Sequence, residues 1–162
     1  YEYERAGTAC IFMFAEPLSG WRKVSARPRR TKVDWALEME ELLRTRYADV
    51  EKVTLVCDNL NTHTRGAFYE VFEAKKAREL VRRIEFHYTP KHGSWLNMAE
   101  PELSVMTRQC FSDRVGSQAE TERRIAAWQA DRNERQTGID WQFSNADARI
   151  KLKKLYPKVE LR

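Results

Sequence analysis

The feature that most restricts the fold is a short, uninterrupted strand-forming segment that ends on a charge. Residues 52–57 read KVTLVC, and Asp58 follows directly. A run of this length, rich in apolar and β-branched residues, is typical of a strand buried on both faces of a sheet. Such strands occur in α/β proteins, where helices cover both faces. We therefore expect an α/β domain with residues 52–57 inside its sheet.

Strand-like and helix-like segments alternate on either side of this strand. Residues 3–15 and 21–26 are rich in aromatic and β-branched types, and EPLSG between them supplies turn residues, which predicts a hairpin. Apolar residues at helical spacing predict a helix over residues 33–47, with Thr31 as its N-cap. The same criteria predict one more strand, residues 84–88, and four more helices: residues 66–83, 97–110, 118–135 and 143–157. This order indicates a mixed sheet flanked by helices.

Composition narrows the class of protein. The 162 residues are 42% hydrophobic and 33% charged, as in a single globular domain, and no apolar run is long enough to span a bilayer. Cys10, Cys57 and Cys110 lack metal-type spacing, so we expect reduced, structural thiols in a cytoplasmic protein. The net charge of +5 is compatible with a polyanionic partner without establishing one.

Two carboxylates stand at boundaries between predicted elements. Asp58 ends the strand, and Glu100 begins the helix predicted from Asn97. Each has an ordinary structural explanation: Asp58 can cap a turn, and Asn97 with Glu100 fits a capping box. Together they lie at the edge of an open α/β sheet where ligand sites form. Paired carboxylates there suit Mg²⁺, which takes oxygen ligands and shares them with phosphates.

Two motifs give the sequence a specific resemblance. CDNLNTH, beginning at Cys57, and HYTPKHGSWLNMAEPELSVMTRQ, beginning at His87, resemble the catalytic core of DDE transposases. The similarity is to bacterial insertion-sequence enzymes related to the mariner superfamily, which have the RNase H-like fold of retroviral integrases. It implies that Asp58 and Glu100 are catalytic and bind Mg²⁺, with Mn²⁺ as a substitute. It also implies that five residues surround them: Asn59, His63, His92, Trp95 and Asn97.

The resemblance also implies an architecture and partners. Residues 1–115 would form a partial RNase H-like core that lacks the first, central strand, and residues 116–162 a helical extension packed on it. The partners would be double-stranded DNA, as transposon ends and target, and a second copy of the chain, with no membrane. The expected location is the bacterial cytoplasm at the nucleoid.

This sequence departs from the family pattern at two positions. No acidic residue stands where the family has its first catalytic aspartate, because Glu2, Glu4 and Glu16 fall on or after the second strand. Pro101 follows Glu100 where the family usually has an aliphatic residue, and proline restricts the residue before it. We therefore expect little or no strand cutting by this chain alone.

Histidine, tryptophan and basic residues offer further candidates. His63, His87 and His92 match no zinc signature, and histidine with Asn neighbours is more often a hydrogen-bonding group. We expect His63 and His92 to flank the phosphate path and His87 to be packed or at a sheet face. Trp95 either stacks on an extruded base or fills the corner beneath the helix. Four basic residues are candidates for DNA-backbone contacts, with a solvated surface as the alternative: Arg27, Arg29, Arg30 and Lys91.

Two other functions stay open beside transposition. A non-catalytic transposase relic would bind DNA, in a salt-sensitive way, or bind its own kind without cleavage or a metal effect. A hydrolytic nuclease of the RNase H type would cut nucleic acid without joining ends. Joining of a cut 3′ end to target DNA would separate the transposase from both.

Overall fold

The computed structural model describes residues 7–91 and 93–153. Within those residues the chain forms four strands and six helices. Their bounds are β1 Cys10–Glu16, β2 Trp21–Arg27, α1 Lys32–Arg44, β3 Val53–Cys57, α2 Gly66–Tyr69, α3 Ala74–Arg82, β4 Ile84–Tyr88, α4 Ala99–Cys110, α5 Gln118–Glu134 and α6 Asn145–Lys151, with a 3₁₀ turn at Ser94–Leu96 before α4. The mixture of helices and small sheets agrees with the predicted α/β class.

Strands β1 and β2 form the predicted antiparallel hairpin, with Cys10 opposite Arg27 and Glu16 opposite Trp21. The turn closes when the amide of Gly20 donates to the carbonyl of Glu16 (3.0 Å). Gly20 has φ +72°, a backbone conformation that residues with a Cβ rarely adopt. The predicted start of the first strand was too early, because residues 7–9 precede β1, and residues 1–6 lie outside the described part of the chain.

Strands β3 and β4 pair in parallel, with Val53 opposite Ile84 and Cys57 opposite Tyr88. The prediction that β3 is buried on both faces was wrong. Thr54 and Val56 point to an uncovered face, and Val56 is 53% exposed. The side chains of alternate residues face helices α1 to α3, so among the described residues one face of this sheet supplies its buried apolar area.

Helix α1 begins at the predicted cap. The hydroxyl of Thr31 accepts from the amide of Asp34 (3.2 Å), and the carboxylate of Asp34 accepts from the amide of Thr31 (2.8 Å), which completes a capping box. The buried face of α1 packs against both sheets and against α2 and α3 in one apolar core. That core is built from Phe12, Trp35, Ala36, Met39, Leu42, Leu43, Ala67, Phe68, Ala77, Leu80 and Ile84.

The single helix predicted over residues 66–83 is two helices, α2 and α3. Glu73 separates them in an extended conformation, with φ −54° and ψ 149°. Val71 and Phe72 precede this break, and β-branched and aromatic residues are weaker helix formers than the alanines and lysines that follow. The break allows Phe68 from α2 and Leu80 from α3 to enter the same core from different directions.

Helices α4 and α5 cover the other face of the hairpin. A second apolar core there contains Val24, Met106, Cys110, Ile125 and Trp128. Helix α5 also protects the edge of β2 with side-chain amides. Asn133 accepts from the Arg22 amide and donates to the Arg22 carbonyl (both 2.8 Å), and Gln129 accepts from the Val24 amide (2.5 Å). These bonds satisfy edge groups that would otherwise be open to another strand. The predicted division at residue 115 stays a prediction.

Cys10, Cys57 and Cys110 are all free thiols. Across residues 7–91 and 93–153, every helix is too short or too polar to cross a membrane.

Candidate metal and nucleic-acid site

Asp58 follows β3 directly and lies at the carboxyl end of the parallel pair of strands. Its Oδ1 is 2.7 Å from Nδ1 of His63, and the Asp58 side chain is partly exposed. The same oxygen accepts a longer bond from the amide of Leu60 (3.4 Å). The turn-capping explanation therefore describes one contact of Asp58, but the stronger partner is the imidazole. A partly exposed carboxylate at this edge is available to a cation.

His63 is fixed on two further sides. Its ring packs against the indole of Trp35, with centroids 5.4 Å apart and planes inclined by 32°. Its backbone carbonyl accepts from the hydroxyl of Tyr88 (2.9 Å). The core beneath the loop therefore holds the imidazole, and the imidazole holds the carboxylate of Asp58.

Asn59 joins the loop after β3 to the residue after β4. Its Nδ2 donates to the carbonyl of Thr89. The Thr89 amide in turn donates to the carbonyl of Cys57 (2.9 Å), one position beyond the last strand pair. The two strand ends are thus held together beside Asp58.

The thiol of Cys57, the residue before Asp58, has a raised pKa at this end of the sheet. The pKa of its thiol is raised from 9.0 to about 11, first by burial and second by the negative charge of Asp58. The thiol is therefore neutral and serves as a small buried apolar group, as the sequence predicts.

Glu100 is the second residue of α4, and its side chain is exposed. The predicted capping box between Asn97 and Glu100 was wrong. Met98 occupies the N-cap position, and Oδ1 of Asn97 instead accepts from the amide of Ala99 (3.1 Å). Pro101 is accommodated in the first turn, where a missing amide hydrogen costs no helical bond.

Trp95 lies in the 3₁₀ turn that leads to α4. The ring of Phe143 meets it edge to face, with centroids 4.8 Å apart, and Nζ of Lys151 lies 4.5 Å from its centroid. Of the two roles considered for Trp95, this packing favours the structural one, because side chains of the segment after α5 already pack against the indole ring.

The structure brings some of the candidate residues together. Asp58 contacts His63, and Asn59 lies in the same loop. Asp58 and Glu100 share no hydrogen bond, and within residues 7–91 and 93–153 no three acidic, histidine or cysteine side chains cluster to hold a metal. His92 lies outside the described residues. His87, predicted to be packed or on a sheet face, is exposed on β4, with Nε2 3.0 Å from Oε1 of Glu85.

The basic candidates divide by their surroundings. Arg27 donates from Nε to Glu38 (2.6 Å), a carboxylate that is almost completely buried. Arg29, Arg30 and Lys91 are exposed. A guanidinium engaged in an intramolecular ion pair is less available to a phosphate than one in solvent, so the exposed three are the better candidates.

Sequence patterns did not indicate that a second acidic residue of α4, Glu102, forms ion pairs inside the protein. Glu102 is buried and binds the guanidinium groups of Arg22 and Arg132. Charged residues are ordinarily exposed, and these three are far apart in the sequence. The one available signal was the position of Glu102, on the side of the helix opposite to Glu100.

Comparison with known proteins gives one match. The sequence model of a family described as DDE superfamily endonuclease matches residues 1–124, about three quarters of the chain. Both Asp58 and Glu100 lie within the matched residues. No curated protein and no solved structure matches the chain significantly.

Proposed function

Since the chain belongs to the DDE superfamily endonuclease family, we propose that it is part of the catalytic core of a DNA transposase. The branch that we favour is that of bacterial insertion sequences related to mariner, on the strength of the motifs around Asp58 and Glu100. The observation that carries the proposal is the position of Asp58. It lies at the carboxyl end of β3, inside the matched region, with its carboxylate partly exposed and held by His63.

Asp58 and Glu100 are the residues that would hold a divalent cation. Carboxylate oxygens are the donors that Mg²⁺ prefers, and Mn²⁺ accepts the same donors. Two carboxylates leave most coordination positions to water and to phosphate oxygens of DNA, as is usual for Mg²⁺ at phosphoryl-transfer sites. When bound, a pair of such ions stabilises charge on the attacking and leaving oxygens.

The role of the other residues follows from their contacts. His63 orients the carboxylate of Asp58, and Trp35 fixes His63. Asn59 keeps the loop against the end of β4. These contacts reduce the freedom of Asp58 before any ligand arrives, which lowers the entropy lost when a ligand binds.

We further propose that a strand belongs between β1 and β3. Among the described residues β1 pairs with β2 and β3 pairs with β4, and no ladder joins the two sheets. In the RNase H-like fold that this family implies, a central strand lies at this position and carries the first catalytic aspartate. Such a strand would satisfy the open edges of β1 and β3 and add a third carboxylate beside Asp58.

A transposase relic that binds DNA without cutting it is the second candidate. The observations that favour it are the two unjoined sheets and the lack of a three-ligand cluster in the part of the chain that is described. The exposed Arg29, Arg30 and Lys91 would contact DNA phosphates under either proposal.

The test is a set of assays on one labelled DNA duplex. We expect the chain to bind the duplex with an affinity that falls as salt rises, because phosphate contacts release counterions. We expect little or no nicking in Mg²⁺ or Mn²⁺, since one carboxylate of the family's three lacks a counterpart. Robust nicking that Asp58→Asn and Glu100→Gln abolish would show that the chain is active alone, and joining of the cut 3′ end would exclude a hydrolytic nuclease. Absence of both binding and cutting would contradict the proposal.

A further inference from the structure

A cluster of three charges, two of them buried and one partly buried, joins β2, α4 and α5. The Nε of Arg22 donates to Oε2 of Glu102 (2.7 Å), and Nη2 of Arg132 donates to Oε1 of Glu102 (3.0 Å). Arg22 is 1% exposed and Glu102 is 4% exposed. One carboxylate therefore holds two guanidinium groups, from β2 and α5, inside the protein.

The other donors of Arg22 are also engaged. Its Nη1 donates to the carbonyl of Gly20 and its Nη2 to the carbonyl of Thr137, both at 2.7 Å. The guanidinium carbons of Arg22 and Arg132 lie 5.9 and 5.4 Å from the centroid of the Trp128 indole. Arg22 thus has a single orientation, set by the hairpin turn, by the segment after α5 and by the indole.

Such a cluster is a poor means of gaining stability. Removing charges from water is costly, and well-packed apolar residues of similar size often stabilise a protein as much or more. The charges instead fix geometry, because a carboxylate with two fixed guanidinium partners accepts hydrogen bonds in one arrangement. The position of the cluster in the fold then determines which segment of the chain is held in a fixed orientation.

The cluster lies on the first turn of α4, next to a proposed metal ligand. Glu102 follows Glu100 by two residues, which places them about 200° apart around the helix. Glu102 is accordingly buried while Glu100 is exposed. Between them Pro101 has a fixed φ, and before them Asn97 caps the amide of Ala99 (3.1 Å). The rotation of this turn therefore determines where the carboxylate of Glu100 lies.

We propose that Glu102, Arg22 and Arg132 are positioning residues, which fix the first turn of α4 so that Glu100 can share a divalent cation with Asp58. The proposal rests on the function proposed above for Asp58 and Glu100. It assigns a functional role to three residues that touch neither the cation nor DNA.

The test separates positioning from stability. Glu102→Gln leaves the buried guanidinium of Arg22 and the partly buried one of Arg132 without their counter-charge, so both the melting temperature and the Mn²⁺ affinity should fall. A triple variant, Arg22→Met with Glu102→Leu and Arg132→Leu, replaces the charges by apolar side chains and should regain the melting temperature. Mn²⁺ affinity, measured from the electron paramagnetic resonance signal of the free ion, should stay at least about threefold weaker than in the wild type.

Controls make each outcome decisive. Glu120→Gln removes another ion pair of α5, with Arg124 (2.6 Å), away from the first turn of α4, and should leave Mn²⁺ affinity unchanged. If the triple variant does not fold, Arg132→Met takes its place, because that side chain is 16% exposed. If Glu100→Gln weakens Mn²⁺ binding but the cluster variant that folds, the triple variant or Arg132→Met, binds Mn²⁺ like the wild type, the positioning role is overturned alone. If Glu100→Gln has no effect, the proposed metal site fails and this proposal fails with it.

Discussion

Replacing Glu16 by Gln should remove a part of the protein's stability that depends on pH. Glu16 ends β1, and its carboxylate accepts from Nε of Arg46 and from the hydroxyl of Tyr47, both at 2.9 Å. The bond from Arg46 is the largest influence on the pKa of Glu16, which falls from 4.5 to about 2 although partial burial acts in the opposite direction. Glutamine keeps the size of the side chain and removes the charge.

The size and sign of the effect follow from this difference in pKa. A pKa that falls from 4.5 to about 2 corresponds to ~3.4 kcal/mol at most. The Glu16 side chain is 25% exposed and that of Arg46 41%, so solvent screening reduces the contribution to about 1–2 kcal/mol. Because the folded-state pKa is the lower one, the stabilisation is complete above pH 4.5 and is lost as the pH falls towards 2.

Urea unfolding of the wild type and Glu16→Gln at several pH values between 7 and 3 measures this contribution. We expect the wild type to be more stable by about 1–2 kcal/mol at pH 7 and the advantage to shrink as the pH approaches 3. Glu79→Gln, on the exposed surface of α3, is the matched control and should change the free energy of unfolding little. A difference between wild type and Glu16→Gln that is the same at every pH would refute the reasoning.

Three further predictions concern the core, the hairpin turn and the buried thiol. Phe68→Ala should lower the free energy of unfolding by about 3–5 kcal/mol in urea, because Phe68 is fully buried and meets Trp35 edge to face (5.4 Å); a loss below about 1 kcal/mol would contradict this packing. Gly20→Ala should lower the melting temperature, since φ is +72° and a Cβ there would overlap the backbone of Gln136; an unchanged melting temperature would show that the turn has another conformation. Cys57 should react with iodoacetamide at pH 8 far more slowly in the folded chain than in urea, because burial and Asp58 raise its pKa to about 11; equal rates would contradict its burial.

Local signals in the sequence predicted those elements whose boundaries depend on local chemistry. Thr31 and Asp34 form a capping box, and this interaction needs only residues three apart. The turn before Trp21 depends on Gly20, whose positive φ is a local requirement. The position of Asp58 at a strand end followed from an apolar run and the charge that ends it.

Tertiary packing decided the features that the sequence did not predict. The break at Glu73 allows Phe68 and Leu80 to enter one core from different directions, and periodicity along one helix cannot show this packing. The exposed face of β3 depends on which helices lie above it. The buried contact of Glu102 with Arg22 joins residues 80 apart in the sequence, and a charge pattern alone places both at the surface.

The most direct test of the proposed site is the location of bound Mn²⁺ in the isotope-labelled chain by nuclear magnetic resonance. Shared coordination by Asp58 and Glu100 predicts that the amide signals of both residues broaden at the same Mn²⁺ concentration. It also predicts that Glu100→Gln relieves the broadening at both positions. Broadening elsewhere in the chain, or broadening at Asp58 that Glu100→Gln leaves unchanged, would contradict a metal site shared by these two carboxylates.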